Sequence, residues 1–177
     1  NVKKSLKLLY GKLKKQFPYL SFCLEETKWL NEFMVQQPGR FYTLVETEKE
    51  AMEAVFYFLR DKRKNVFLDP SEKILEQYTG DKKETTIVKN LVSEAPIQTI
   101  DKVPVATLEK MLVDIFSDSE MFSAQQGKEL DNIFQNAFEK YNVDKSRLLR
   151  YASRRKKKDA IREFLARNLN LKLWKVR

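Results

Sequence analysis

The chain has 177 residues, of which 42% are hydrophobic and 33% are charged, and its net charge is +9. That length and composition suit one globular domain rich in regular structure and exclude a low-complexity linker. The chain contains no histidine and four glycines, which excludes catalytic triads, histidine metal ligands and the usual glycine-rich phosphate loops.

Helices and strands alternate along the first 104 residues. An amphipathic helix is predicted at residues 3–17, and strands are predicted in "YLSFCLE", "FYTLVE", "NVFLD" and "TTIVKNLV". Between the strands, helices are predicted in "ETKWLNEFM", in "EKEAMEAVFYFLRDK" with Thr47 as its N-cap, and in "SEKILEQY" between Pro70 and Gly80. The alternation indicates crossover connections, and therefore a mixed, partly parallel sheet with flanking helices.

From Val105 onward every predicted element is a helix. The helices lie in "TLEKMLVDIF", "SAQQGKELDNIFQNAFEKY", "DKSRLLRYAS" and "KKKDAIREFLARN", with Thr107, Ser123 and Asp144 as predicted N-caps. The sequence therefore predicts an α/β fold. We expect residues 1–104 to form the α/β body and residues 105–177 to form a basic helical part that packs on the body as one domain.

The single cysteine, Cys23, lies in the apolar run "YLSFCL" and is predicted to be buried. One cysteine cannot form a disulfide within the chain, which fits a reducing compartment. No apolar run approaches the roughly 18 residues that span a bilayer, and no signal-peptide pattern is present. We therefore expect a cytoplasmic protein that does not contact membranes and, given the missing phosphate loops, needs no cofactor.

The charges are unevenly distributed along the chain. Residues 1–15 carry +6, residues 16–139 carry −8 and residues 140–177 carry +11. An acidic body with two basic ends can attract a polyanion to one face of the molecule. The basic ends can equally pair with the acidic body.

The densest basic stretch is "RLLRYASRRKKKDAIREFL", residues 147–165. The basic run from Arg154 to Lys158 lies between two predicted amphipathic helices. It places lysines at the start of the second helix, where the helix dipole disfavours cations. That conflict indicates an anionic ligand or an acidic partner, although a solvated surface turn explains the run equally well. The predicted nucleic-acid or partner-binding residues are Arg147, Arg150, Arg154, Arg155, Lys156, Lys157 and Lys158.

Two acids in the helix "TLEKMLVDIF" are candidate supporting residues for this surface. Glu109 or Asp114 is expected to fix one of the arginines and orient it. The simpler interpretation is a structural pair between Lys110 and Asp114, which are four residues apart.

Carboxylate chemistry offers an alternative function. Asp69 ends a predicted strand, while Asp81, Lys83, Glu84 and Lys89 flank or occupy the next one, as in nucleases that bind a metal ion at neighbouring strand ends. Asp69 before Pro70 is equally typical of a turn. We therefore prefer an interpretation with no catalytic residue and no metal ligand.

Several segments together resemble a known family. They are "QPGRFYTLVETEKEAMEAVFYFLRDKRKNVFLDP", "APIQ", "VPVATLEKMLVDIF" and "YNVDKSRLLRYASRRKKKDAIREFL". In this order they resemble the C-terminal domain of AbiEi-type antitoxins, the regulators of AbiE abortive-infection toxin–antitoxin systems, over roughly residues 20–167.

The resemblance implies a transcriptional regulator that represses its own operon through an N-terminal winged helix. It also implies a C-terminal domain that counteracts a nucleotidyltransferase-like toxin without forming a stable complex. The sequence predicts no helix-turn-helix before the basic helix at residues 3–17. The sequence thus predicts a non-enzymatic antitoxin or regulator domain that acts through its basic surface on RNA, DNA or a partner. A metal-dependent nuclease-like enzyme and a purely protein-binding module are the alternatives.

Overall fold

The computed structural model describes residues 1–80 and 84–169, which fall into two compact units. The first unit comprises Asn1–Trp29, Gly39–Val92 and Ile97–Ala106. The second comprises Leu30–Pro38, Ser93–Pro96 and Thr107–Arg177. Each unit therefore recruits segments that are distant in sequence.

The first unit is built on a mixed six-stranded sheet, counted over the described residues, with the strand order β3-β4-β2-β1-β6-β5. Strands β3, β4 and β2 are parallel to one another, β1 is antiparallel to β2 and parallel to β6, and β5 is antiparallel to β6. The predicted α/β fold with a partly parallel sheet is confirmed. The strands are β1 (Phe22–Glu26), β2 (Tyr42–Thr47), β3 (Val66–Leu68), β4 (Thr85–Asn90), β5 (Ile97–Ile100) and β6 (Val103–Ala106).

The α-helices of the first unit, counted over the residues that the structure describes, are α1 (Lys4–Gln16), α2 (Met52–Arg60) and α3 (Glu72–Thr79). A 3-10 helix, Lys49–Ala51, precedes α2, and another, Thr27–Phe33, follows β1. The core joins the apolar faces of α1 and α2 to the strands, and burying each large aliphatic side chain contributes about 1.5–3 kcal/mol. It contains Leu6, Leu9 and Leu13 of α1, Val55 and Leu59 of α2, and Leu24, Val45 and Val88 of the sheet.

The second unit contains α4 (Leu108–Ser117), α5 (Lys128–Lys140), α6 (Lys145–Arg154) and α7 (Lys158–Asn168). The predicted caps of α4 and α6 are confirmed: the Thr107 hydroxyl accepts the Lys110 N–H at 3.3 Å, and the Asp144 carboxylate accepts the Arg147 N–H at 2.9 Å. Within residues 1–80 and 84–169, each helix is too short or too polar to cross a lipid bilayer.

Two other predicted caps are wrong because neighbouring structure uses those residues differently. Thr47 ends β2, where its hydroxyl donates to the Ser21 carbonyl at 3.0 Å. Ser123 starts a 3-10 helix, Ser123–Gln125, and caps no α-helix. Gly127, with φ of 62°, separates that turn from α5. A tertiary hydrogen bond and a left-handed glycine therefore override the local capping preference.

The hairpin between β5 and β6 is closed by Asp101 and Lys102, whose φ values are 51° and 66°. Two left-handed residues in a two-residue loop are the mark of a type I′ turn, which Asn-Gly usually signals. The Asp101 carboxylate accepts the Val2 N–H at 3.1 Å and contacts the Lys7 ammonium at 2.9 Å. The turn therefore connects the hairpin to the start of α1.

These contacts make the stability of the fold dependent on pH. The hydrogen bond from Lys7, followed by that from the Val2 amide, holds the pKa of Asp101 below its ordinary value. A depressed carboxyl pKa stabilises the fold above the pKa of the unfolded chain, which is about 3.9 for aspartate, and this stabilisation is lost as the pH falls through the folded-state pKa. We expect Asp101→Asn to have a lower melting temperature at pH 6 and a shallower acid decline. Melting curves from pH 6 down to strongly acidic pH test this, and parallel declines would contradict it.

Candidate nucleic-acid interface

Helix α6 divides its side chains between the core and the surface. Its start is fixed by the Asp144 cap, and Leu148, Tyr151 and Ala152 are buried. Because the cations are spaced three and four residues apart, they share the opposite, exposed side of the helix. These exposed cations are Arg147, Arg150 and Arg154.

The backbone of residues 152–157 forms a Schellman motif at the end of α6. The Lys157 N–H donates to the Ala152 carbonyl at 2.8 Å, and the Lys156 N–H donates to the Ser153 carbonyl at 3.0 Å. Lys156 lies in the left-handed region with φ of 56°, a position that usually carries glycine. The turn therefore holds three basic residues, Arg155 to Lys157, on a defined backbone.

Helix α7 begins directly after this turn without a side-chain cap. Lys157 occupies the N-cap position and makes no capping hydrogen bond, while Lys158 is the first helical residue. The N–H groups of the first turn carry a partial positive charge, which adds to the charges of the lysines. Asp159 is the acid in that turn. An anion placed here would be favoured by both the backbone and the side chains.

The left-handed backbone of Lys156 leads to a prediction about the stability of the fold. Replacing Lys156 by glycine is expected to raise the free energy of unfolding by about 1 kcal/mol, because glycine adopts a positive φ without steric cost. Urea denaturation followed by circular dichroism measures the change. Lys157→Gly, at a residue with φ of −122°, is the matched control and should not stabilise the protein. A loss of stability in the Lys156 variant would contradict the backbone argument.

Glu109 of α4 lies beneath the start of α6. Its nearly buried side chain accepts the Asp144 backbone N–H at 2.9 Å through Oε1 and lies 3.6 Å from Arg147 Nη1 through Oε2. Arg147 also contacts the Asp144 carboxylate at 3.9 Å, while about half of its own side chain remains exposed. Glu109 therefore anchors the first turn of α6 and orients Arg147, one of the roles that its sequence position suggested.

Asp114 of α4 is the centre of a buried polar cluster. Its Oδ2 receives a hydrogen bond from Lys110 Nζ at 2.6 Å, and its Oδ1 receives one from the Tyr151 hydroxyl at 2.8 Å. Arg155 Nε lies 3.5 Å from the same Oδ1. Both possibilities raised for Asp114, a pair with Lys110 and contact with an arginine of the basic stretch, are therefore realised together. The cluster joins α4 to the end of α6 and holds Arg155 in place.

Only part of the basic surface is neutralised within the second unit. The guanidinium of Arg154 hydrogen-bonds to Glu94 at 2.6 Å, so its charge is largely compensated. Across the described residues, Arg150, Lys156, Lys157 and Lys158 have no carboxylate within ion-pair distance. We refer to these four residues as the open cations. They are all exposed, and three of them are consecutive.

Three residues near this surface were not singled out from the sequence: Glu94, Tyr151 and Arg162. Glu94 is 60 positions from Arg154 in the chain, and its left-handed φ of 61° gives no sequence signal. The role of the Tyr151 hydroxyl was hidden because tyrosine at a core position reads as an apolar residue. Arg162 had a signal: it is exposed and follows Lys158 by four residues, so the two share one face of α7.

Of the described residues of the nuclease hypothesis, Asp69 and Lys89 lie near each other, whereas Glu84 lies at the other end of β4. Asp69 follows β3, and its N–H donates to the Val88 carbonyl, which places it near the end of β4. Glu84 precedes the first residue of β4. Five residues of strand correspond to about 16 Å, so Asp69 and Glu84 lie at opposite ends of the sheet. Lys89 is on β4 near Asp69, whereas Asp81 and Lys83 lie outside the described residues.

Comparison with known proteins matches the chain to a family whose function has not been assigned. The sequence pattern of the "Family of unknown function (DUF6577)" matches residues 1–171. No curated protein and no solved structure matches the chain.

Proposed function

We propose that this chain, which belongs to the family of unknown function DUF6577, is a non-enzymatic regulator or antitoxin domain that binds nucleic acid. The binding surface is formed by the end of α6, the turn that follows it and the start of α7. The observation that supports this most directly is the set of open cations, gathered over one turn without acidic partners among the described residues.

The energetics of the turn favour a ligand with several negative charges. Three consecutive lysines repel one another, and they also oppose the positive end of the α7 dipole. Each phosphate that approaches relieves both effects and releases condensed counterions from the nucleic acid, which drives binding. A left-handed lysine where glycine is preferred fits the same explanation, because a positive side chain is kept there at a cost to the backbone.

Nucleic acid fits this surface better than an acidic protein does. The exposed residues at the turn are polar and carry no large apolar side chain, whereas the core of a protein interface is usually rich in aromatic residues. Buried acids also support the surface: Glu109 orients Arg147, and Asp114 contacts Arg155. Preorganised guanidinium groups suit phosphate oxygens, which they can bind in a bidentate manner.

The regulatory part of the proposal follows from the resemblance to AbiEi-type antitoxins. In that interpretation the functional partner is a nucleotidyltransferase-like toxin, and RNA on which the toxin acts is one candidate ligand. Co-expression of such a toxin with this chain tests the antitoxin role directly. Growth should be rescued by the chain, and rescue should weaken when the lysines of the turn are replaced.

Binding itself is tested with a triple variant, Lys156→Gln/Lys157→Gln/Lys158→Gln. For duplex DNA, we expect the slope of log affinity against log salt concentration to decrease in magnitude by about two to three, since up to three phosphate contacts are lost. Fluorescence anisotropy with labelled DNA duplex and RNA hairpin, measured over a series of salt concentrations, gives the slopes and identifies the preferred nucleic acid.

The matched control removes the same charge elsewhere: Lys49→Gln/Lys73→Gln/Lys128→Gln, three exposed lysines at separate sites. We expect the control to keep nearly the whole salt dependence. Equal slopes for the two triple variants would show that net charge alone drives binding, and would contradict a defined surface. Circular dichroism should show that both variants are folded, because neither replacement touches the core.

A further inference from the structure

The first unit contains a basic cavity that the proposed nucleic-acid surface does not use. It has a volume of about 770 Å³. It lies at the end of the sheet where β1 ends and where β2, β3 and β4 begin. Side chains of α1 line it as well. The cations of its lining are Lys3, Lys12, Lys28, Lys62, Arg63 and Lys64.

The charge of this lining is strongly unbalanced. Among the described residues, the acids of the lining are Glu26 and Glu84, and Glu26 is 3.7 Å from Lys3. In the part of the chain that the structure describes, the other five cations form no ion pair with a carboxylate. Like charges collected around one cavity raise its potential and favour an anionic occupant. The cations come from α1, from the segment after β1 and from the segment before β3, so they converge on the cavity from separate parts of the fold.

Two further side chains give the cavity a more specific character. Thr85 is 2% exposed, and its hydroxyl has no hydrogen-bond partner among the described residues, which is uncommon for a buried polar group. The Phe41 ring also lines the cavity, with Lys28 Nζ 5.6 Å from the ring centroid. A ligand with oxygen acceptors would satisfy the hydroxyl, and a planar group could stack on the ring.

We propose that this cavity binds a small ligand that carries two or more adjacent phosphate groups. Its volume lies within the roughly 300–1,000 Å³ of typical small-molecule sites. One phosphate would leave most of the positive charge uncompensated, whereas a chain of phosphates can contact cations on several sides. Inorganic triphosphate and the phosphate chain of a nucleoside triphosphate share this chemistry. Phe41 would favour a nucleoside triphosphate, because the base could stack on its ring.

The experiment measures binding to the full chain by isothermal titration calorimetry with inorganic triphosphate, ATP, adenosine and inorganic phosphate. We expect both triphosphates to bind, and adenosine and phosphate to bind much more weakly or not at all. Lys28→Gln/Lys62→Gln/Lys64→Gln should weaken triphosphate binding by about tenfold or more, since three charge-assisted contacts are removed. Thr85→Val, which preserves the shape of the side chain, should weaken it by a smaller factor.

Each outcome bears on the proposal. If inorganic triphosphate and ATP bind with equal affinity, and Phe41→Leu changes neither affinity, the ligand is an inorganic polyphosphate. Tighter binding of ATP, lost in Phe41→Leu, would identify a nucleotide. Absence of triphosphate binding, or an equal loss in Lys49→Gln/Lys73→Gln/Lys128→Gln, would overturn the site. Oligonucleotides of increasing length test one further possibility. If their affinity rises with length and is lost in Lys28→Gln/Lys62→Gln/Lys64→Gln, the cavity is part of a second nucleic-acid surface, and the proposal of a small ligand is wrong. The turn variant Lys156→Gln/Lys157→Gln/Lys158→Gln should bind triphosphate normally, so this site and the nucleic-acid surface can fail independently.

Discussion

Replacing Asp114 by alanine is expected to lower the free energy of unfolding by about 3–5 kcal/mol, the range observed when one partner of a buried ion pair is removed. Lys110 is fully buried, and the carboxylate 2.6 Å away supports its charge. The same replacement removes the acceptor of the Tyr151 hydroxyl and the acid next to Arg155. Urea denaturation followed by circular dichroism measures the loss. Nucleic-acid binding should weaken as well, because Arg155 loses its anchor.

Two further variants separate the contributions within this cluster. Tyr151→Phe removes one hydrogen bond and should cost about 1 kcal/mol. In Asp114→Ala/Lys110→Met, the buried ammonium is gone, so stability should recover in part relative to Asp114→Ala. If Asp114→Ala lowered the free energy of unfolding by no more than Tyr151→Phe does, the ion pair between Lys110 and Asp114 would not contribute to stability.

Replacing Phe134 by alanine should have an effect of similar size, about 3–5 kcal/mol, through the loss of a large buried ring and the cavity left behind. Phe134 is fully buried in α5, and its ring contacts those of Phe116 and Phe164 edge-on at centroid distances of 6.5 and 5.0 Å. Thermal and urea denaturation both report the change. Because α7 contributes Phe164 to this cluster, the variant should also weaken the attachment of α7.

Phe134→Leu is the matched control, since it fills most of the space and should cost less than about 1.5 kcal/mol. Phe116 lies at the edge of the cluster and is only partly buried, so Phe116→Ala should cost less than Phe134→Ala. Equal costs for these two alanine variants would show that the ring contacts are not concentrated on Phe134.

Much of this fold could be predicted from the sequence because its signals are local. The helices α1, α4, α6 and α7 follow from apolar residues at helical spacing, and the caps Thr107 and Asp144 act three residues along the chain. The buried state of Cys23 was also expected from its apolar neighbours, and it is fully buried. Local spacing was sufficient wherever one helix determined its own start and its own buried face.

The rest depends on residues that are far apart in the chain. Pairing between β1 and β6 joins Leu24 to Val105, and no local pattern encodes that choice. The β5–β6 hairpin was missed because Asp-Lys closes it where Asn-Gly is the usual signal. Thr47 has the right chemistry for a cap, but the sheet places its hydroxyl beside Ser21. Tertiary contacts decide between such alternatives, and a linear sequence does not display them.

The candidate site shows the same division. Helical spacing correctly placed Arg147, Arg150 and Arg154 on one exposed face. One option raised from the sequence was that Glu109 or Asp114 would fix one of the arginines, and the structure has both acids near an arginine. Spacing could not show that Arg154 is neutralised by Glu94, and that pair leaves the positive charge concentrated on the turn. The basic cavity of the first unit was invisible for the same reason, since its cations come from segments separated by up to about sixty residues.

The hydrogen bonds that close the turn after α6 also fix its length. The Lys157 N–H reaches the Ala152 carbonyl across residues 153–156, so one added residue would leave that carbonyl without its donor. An added residue would also change the direction in which α7 leaves the turn, because the hydrogen bonds of the Schellman motif set that direction. Insertions and deletions at positions 155–157 should therefore be far more damaging than substitutions there, because they would misalign the positive side chains of one helix with those of the next.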